Sequence, residues 1–187
     1  MVSIMVESVK SKNNKISPYI YTIGHSNIDL ELFLCILNQY HIAHVVDIRQ
    51  FPSSRRFPYF NSRPLQQALS EQGIHYTWMQ DLGGRRPKVC DDSPNKGLRV
   101  AGFRNYADYT ATKPFRTSAD RLIWIAEQET TAYMCAEKMF FQCHRRILSD
   151  FLAAQGLHIM HIIDADHAME HTFTDGLQIN SDKSILL

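Results

Sequence analysis

Ala43-His44-Val45-Val46-Asp47-Ile48-Arg49 is the stretch on which the fold turns. Its apolar residues run almost unbroken, whereas a strand with one wet face would alternate apolar and polar side chains. At this length the run suits a strand covered on both faces, as in a parallel sheet between two helical layers. Asp47 and Arg49 interrupt it, and two residues apart they share one face of the strand. A buried carboxylate is costly unless it is paired or hydrogen-bonded. Arg49 is therefore its expected partner, either as a structural ion pair or as a functional arginine that Asp47 holds in place.

Similar runs recur on either side. Residues 19–23 read as a buried strand ended by Gly24. Asn27 or Asp29 can cap the helix that follows, in which Leu30, Phe33, Leu34 and Leu37 recur at helical spacing. Ser62-Arg63-Pro64 reads as a helix start and Gly73 as its stop, with a third strand at 74–79. Residues 80–98 form a long polar loop, of a kind usually functional in a compact domain. Helices are expected at 103–112 and 114–128, a fourth strand at 131–135, a helix at 143–155 closed by Gly156, and a fifth strand at 157–163. The order predicts an α/β fold: three layers, with a mainly parallel open sheet of about five strands and helices on both faces. Residues 19–163 are the expected domain. Residues 1–18, with the polar run Ser11-Lys12-Asn13-Asn14-Lys15, read as a flexible N-terminal arm. Residues 164–187 read as a tail in which 177–179 can form an edge strand.

At 187 residues, with 44% hydrophobic and 21% charged residues, the chain suits one ordinary globular domain. A formal net charge of +1 excludes whole-protein attraction to nucleic acid or an anionic membrane, so such binding would need a local patch. No apolar run approaches the roughly 20 residues that cross a bilayer, and the first eighteen residues lack a secretory pattern. The expectation is a cytoplasmic protein, not membrane-associated, whose four cysteines stay reduced.

Polar residues gather where strands end: Gly24-His25-Ser26-Asn27 after the first, Asp47-Ile48-Arg49 through Arg56 after the second, and Cys135-Ala136-Glu137-Lys138 after the fourth. In an open parallel sheet these ends share the edge at which such folds bind ligands. Arg49, Arg55, Arg56, Arg85, Arg86, Arg145 and Arg146 all fall in or beside these loops. Guanidinium groups take phosphate or carboxylate through paired hydrogen bonds. The Gly83-Gly84 turn lets backbone approach a ligand, and a helix start near Cys143 adds N–H groups and a positive dipole end. The blander reading is a set of solvated or ion-paired arginines.

Cys135, facing arginines and a helix start, can act as a thiolate nucleophile, with His144 or His25 as proton carrier. Cysteine also packs as a small buried apolar group. Cysteine-dependent phosphate and sulfur-transfer loops place an arginine a few residues after the cysteine. Here the next is Arg145, so those classes are not supported. Cys135, Cys143, His144 and His25 also offer zinc-type ligands, without the spacing of structural zinc motifs. Tyr106 and Tyr109, at i, i+3, fit core packing. Tyr59 and Phe60 are expected to be exposed beside Arg55 and Arg56, where they suit a nucleotide base or single-stranded nucleic acid.

The stretches Tyr21-Thr22-Ile23-Gly24-His25-Ser26-Asn27, Val45-Val46-Asp47-Ile48-Arg49 with Pro52-Ser53-Ser54-Arg55, Leu82-Gly83-Gly84-Arg85-Arg86, Phe103-Arg104-Asn105-Tyr106-Ala107-Asp108-Tyr109, Met134-Cys135-Ala136-Glu137-Lys138 and Cys143-His144-Arg145 stand in one order. Together they resemble the bacterial and archaeal domain-of-unknown-function family 488, over about residues 19–161. The resemblance implies an α/β fold and a shared set of polar positions, and it carries no reaction with it. The family often has valine where this chain has Ile48. The run Met139-Phe140-Phe141 is unusually apolar and suggests a cover for the site. The candidate catalytic residues are Cys135, His144 and His25. The candidate binding residues are Ser26, Asp47, Arg49, Ser54, Arg55, Gly83, Gly84, Arg85, Tyr106, Glu137 and Arg145. The leading expectation is an enzyme acting on an anionic small molecule, nucleotide or nucleic acid, with no cofactor specified. The other two are a non-catalytic nucleotide or nucleic-acid binding module and a metal-binding protein using Cys135, Cys143 and His144.

Overall fold

The computed structural model describes residues 19–187; the expected N-terminal arm, 1–18, lies outside the described residues. The strands are β1 (Tyr19–Gly24), β2 (His44–Asp47), β3 (His75–Trp78), β4 (Thr131–Cys135), β5 (His158–Ile162) and β6 (Ala168–Glu170), followed by β7 (Gln178–Ile179) and β8 (Ile185–Leu186). The helices are α1 (Leu30–Gln39), α2 (Ser62–Glu71), α3 (Ala101–Tyr109), α4 (Lys113–Gln128) and α5 (Arg145–Ala154). The main sheet runs β3-β2-β4-β1-β5-β6. Its first five strands are parallel and β6 is antiparallel to β5.

Local sequence explains these elements. Asp29 caps α1, accepting the Leu32 backbone N–H at 2.7 Å, and so supplies one of the partners that a helix start lacks. After α2, Gly73 turns the chain at φ 73°, a left-handed conformation costly for a residue with a Cβ. Successive strand residues then face opposite layers. Val45, Ala132 and Met134 pack with Phe33 and Leu37 of α1 and Leu65 and Leu69 of α2. Val46, Tyr133 and Cys135 pack on the other face with residues of α3, α4 and α5, among them Tyr106, Leu122 and Leu148. This is the three-layer α/β arrangement, with α1 and α2 on one face and α3, α4 and α5 on the other. Each large apolar side chain so buried contributes roughly 1.5–3 kcal/mol.

The edge strand lies at 168–170 rather than at 177–179. The chain leaves β5 through a tight return, in which the Ile163 N–H donates to the His167 carbonyl at 2.9 Å. Residues 178–179 pair instead with β8 in a separate two-stranded sheet. No helix among the described residues is long and apolar enough to cross a membrane.

One feature of the topology positions the site. The chain leaves β1 and β2 for the α1/α2 face, yet it leaves β4, which lies between them, for the α5 face. The chain segments after β4 and after β2 therefore part to opposite faces and leave a crevice between them at the carboxyl ends of the strands, the usual ligand position in open α/β sheets.

Candidate thiol site

The crevice is lined by the loops that carry the candidate polar residues. The turn after β1 is zipped to the loop after β4: His25 N–H donates to the Cys135 carbonyl at 3.0 Å and Ser26 N–H to the Ala136 carbonyl at 2.9 Å. Gly24 permits this approach, since a Cβ there would collide with the Glu137 carbonyl. Beside this seam lies a cleft of about 510 Å³. Its lining includes Arg49, Gln50, Phe51 and Ser53 after β2, Gly84 and Arg85 from the long loop, and Val100, Gly102 and Phe103 at the start of α3. Cys135, Ala136, Glu137, Gln142, Cys143 and His144 complete it.

Two thiols meet in this lining. Cys135 Sγ lies 2.9 Å from Cys143 Sγ, and Cys143 Sγ lies 3.3 Å from His144 Nδ1. His144 Nε2 is 3.3 Å from the Ile48 carbonyl, which can only accept, so Nε2 carries its proton there and Nδ1 is left facing the sulfur. The two thiols are pushed apart in acidity. A hydrogen bond from Cys135 holds the Cys143 pKa well below the usual thiol value against the opposing effect of burial, and His144 and Arg145 pull the same way. Burial drives the Cys135 pKa well above it, and its role as donor to Cys143 adds to the shift. Cys143 is thus the more acidic thiol of the pair, and Cys135 the less acidic one. Gly84 makes room for the base: a Cβ there would come 2.5 Å from His144 Nδ1 and 2.7 Å from its Cγ. Gly84→Ala is expected to cost about 1–3 kcal/mol through overpacking and to slow iodoacetamide alkylation of Cys143 at pH 7. Wild-type alkylation rates in a stably folded variant would show that the ring position does not matter.

Arg145 does not reach the cleft. It is fully buried on α5, and its guanidinium donates to Thr22 Oγ1 at 2.9 Å, to the Lys138 carbonyl at 2.9 Å and to the Glu137 carbonyl. It thus braces the loop between the two cysteines. Among the described residues no carboxylate pairs with it, and its Nε has no partner. Burial opposes its charge, but the sulfurs of Cys135 and Cys143 more than offset this and raise its pKa.

Asp47 and Arg49 form the expected pair, with Nη2–Oδ2 at 2.5 Å and Nε–Oδ1 at 2.9 Å. Tyr76 Oη also donates to Asp47 at 2.8 Å, and Arg49 Nη2 donates to the Phe60 carbonyl at 2.7 Å. Arg49 is therefore fixed where its side chain borders the cleft. His25 lies behind it, with Nε2 3.3 Å from Arg49 Nη1 and its ring stacked on Phe60 at 4.1 Å. Burial, reinforced by the Arg49 charge, lowers its pKa to about 4, so it is neutral at pH 7, and it is not among the cleft-lining residues.

Other candidates are dispersed. Arg85 and Glu137 are exposed on the cleft wall. Gly83 packs against Gln50. Ser54 is a turn residue, accepting the Phe57 N–H at 3.0 Å, and Arg55 is exposed; neither lines the cleft. Ser26, at φ 51°, donates to Asn27. Tyr106 is buried in the core, donating to the Leu82 carbonyl at 2.9 Å and lying edge-on to the His144 ring. Phe60, expected at the surface, is fully buried because the short helical turn at Pro58–Phe60 folds it onto His25 and Phe33. Phe140 stacks on His161 at 3.5 Å, away from the cleft, so the apolar 139–141 run is not its cover. Cys135, Cys143 and His144 form a hydrogen-bonded row. The described His/Cys/carboxylate cluster whose ligand atoms all lie within 4.8 Å of one another is His44, His75 and Glu129. Its residues begin β2 and β3 or precede β4, so it lies at the opposite edge of the sheet.

Sequence reasoning missed Phe51, Val100 and Phe103 as cleft walls. Phe51 and Val100 are 61% and 57% exposed, a surplus of apolar surface beside charge that only the fold reveals. Fold and site together define an open, mainly parallel α/β protein with a thiol–imidazole site at its topological switch point. The chain belongs to the family described as Domain of unknown function DUF488, whose profile matches residues 29–152. No curated protein and no solved structure matches it.

Proposed function

We propose that the protein is an enzyme whose nucleophile is the Cys143 thiolate and whose substrate is an anionic organic molecule bound in the 510 Å³ cleft. The observation that carries this is the row Cys135–Cys143–His144–Ile48 carbonyl, a thiolate with a protonated donor on one side and an oriented imidazole on the other. A nucleophile, an adjacent base and a third group that orients the base are the elements of covalent catalysis. This moves the nucleophile from Cys135, the sequence-based expectation, to Cys143. Cys135 becomes the group that stabilises its charge.

Arg85 and Arg49 border the same cleft, and α5 begins at Arg145, directly after its cap residue His144, so its free N–H groups and dipole end favour negative charge beside the sulfur. Phe51 and Phe103 give the cleft aromatic walls suited to a planar ring. A nucleotide combines these two demands, a flat ring and an anionic group. Four free cysteines fit a reducing compartment such as the cytoplasm. In the reaction Cys143 attacks an electrophilic centre of the substrate, and His144, carrying the proton taken from the thiol, delivers it to the leaving group.

The test is a turnover screen over nucleotides and other anionic metabolites, followed by Cys143→Ser and His144→Gln on any substrate found. Loss of about 10³-fold or more in kcat is expected for Cys143→Ser, and about 10²–10⁴-fold for His144→Gln. Undiminished turnover by Cys143→Ser would end the nucleophile assignment. Arg85→Ala, at an exposed position, is expected to raise KM for the anion with the fold intact.

A further inference from the structure

We infer that Cys135 and Cys143 are an oxidation site for hydroperoxides, with Cys143 as the sulfur attacked first and Cys135 as the sulfur that closes a disulfide. The inference rests on the reading of Cys143 as the reactive thiol, and it needs no substrate of the enzyme. The two sulfurs are 2.9 Å apart, within about 1 Å of the disulfide bond length of about 2.0 Å. Eight positions separate them, across a loop that Arg145 braces through two of its carbonyls. Closing the bond therefore asks for a small side-chain rotation and leaves the braced backbone in place. Cys35 and Cys90 are also free, but neither is paired with another sulfur among the described residues.

The pair is asymmetric in the way oxidation needs. Cys143 faces the cleft and an imidazole, and its thiolate is the species that reacts with a peroxide. Its sulfur attacks the terminal oxygen of ROOH: an S–O bond forms, the O–O bond breaks, and the alkoxide leaves as ROH with the proton held by His144. Cys143 is then a sulfenic acid, oxidised by two electrons, and the peroxide is reduced. Cys135 sulfur next attacks Cys143 sulfur: the S–S bond forms, the S–O bond breaks, and hydroxide departs with the Cys135 proton as water. The sum is two thiols and ROOH giving one disulfide, ROH and water. A thiol restores the pair by exchange. In the oxidised form the nucleophile is masked, so the site is silenced while the fold is kept.

The test uses full-length reduced protein and hydrogen peroxide as the probe. After stoichiometric peroxide, denatured free thiols should fall from four to two, and a tryptic digest should yield a reducible Cys135–Cys143 cross-link. Trypsin cuts after Lys138, so the cross-link joins two peptides and is unambiguous. Cys135→Ser, and independently Cys135→Ala, should instead hold sulfenic acid at Cys143, trapped by dimedone. Retention of all four thiols, a cross-link through Cys35 or Cys90, or dimedone labelling of Cys135 in Cys143→Ser at the wild-type rate each overturns the inference. These readouts do not involve turnover. A disulfide that forms in a protein whose Cys143→Ser variant keeps full turnover would refute the catalytic reading and leave this one standing.

Discussion

Acidification from pH 7 to pH 4 is expected to remove about 3 kcal/mol of stability through each of two buried histidines. His161 is fully buried on β5, with Nδ1 3.3 Å from Thr22 Oγ1 and Nε2 3.0 Å from His171 Nδ1. Burial, then the charges of His171 and Arg145, lower its pKa to about 3. His25, behind Arg49, is lowered to about 4. Both are neutral in the fold, while in the unfolded chain they protonate near pH 6.5. Between that value and the folded pKa the unfolded state binds more protons, so stability is present above pH 6.5 and drains away as pH falls toward 4. Against a total of about 5–15 kcal/mol for a typical domain, a combined loss of about 6 kcal/mol by pH 4 removes a large share of the stability before the carboxylates are fully protonated. Denaturant titrations at pH 7, 5.5 and 4 would read it directly. His161→Gln, neutral at every pH, should lose some stability at pH 7 and then fall less steeply than wild type. An identical pH slope in the variant would show that His161 is not protonated on unfolding.

The parts of the fold that the sequence revealed are those with a local cause. Val45, Val46 and Ile48 announce a strand covered on both faces by their continuity, and Asp29 and Gly73 mark helix ends because capping is a matter of a few neighbouring residues. The edge strand at Ala168–Glu170 has no such signal: Met169 is 42% exposed, so no buried face imposes alternation. The convergence of the strand-end loops followed from topology. The identity of the thiolate did not, since it depends on which side of Cys143 the His144 ring lies and on what Cys135 donates to. Arg145 was readable and misjudged. It lies three, four and seven residues before Leu148, Ser149 and Leu152, all buried, and so falls on the inner stripe of α5 rather than in a ligand loop.

That inner position makes Arg145 the residue whose loss should be felt most. A fully buried guanidinium without a carboxylate partner, and with its Nε unpartnered, depends on the Thr22 hydroxyl and two carbonyl oxygens for its hydrogen bonds and on a nearby anion to offset its charge. The anion that can do so is the thiolate of Cys143, the more acidic of the two neighbouring thiols. Arg145→Met keeps most of the volume but strands the Glu137 and Lys138 carbonyls and leaves that thiolate without its buried counter-charge. Removing one member of such an arrangement costs about 3–5 kcal/mol. The apparent pKa of Cys143, read from the pH profile of iodoacetamide alkylation, should rise in the same variant, because Arg145 is one of the charges that lower it. Arg145→Lys restores the charge without the planar fork that serves Thr22 and two carbonyls at once, so it should recover the alkylation profile more fully than the stability. The two measurements thus separate the roles of the side chain, one electrostatic and one structural. A destabilised Arg145→Met with an unshifted alkylation profile would confine Arg145 to bracing the loop and leave Cys135 and His144 alone to sustain the thiolate.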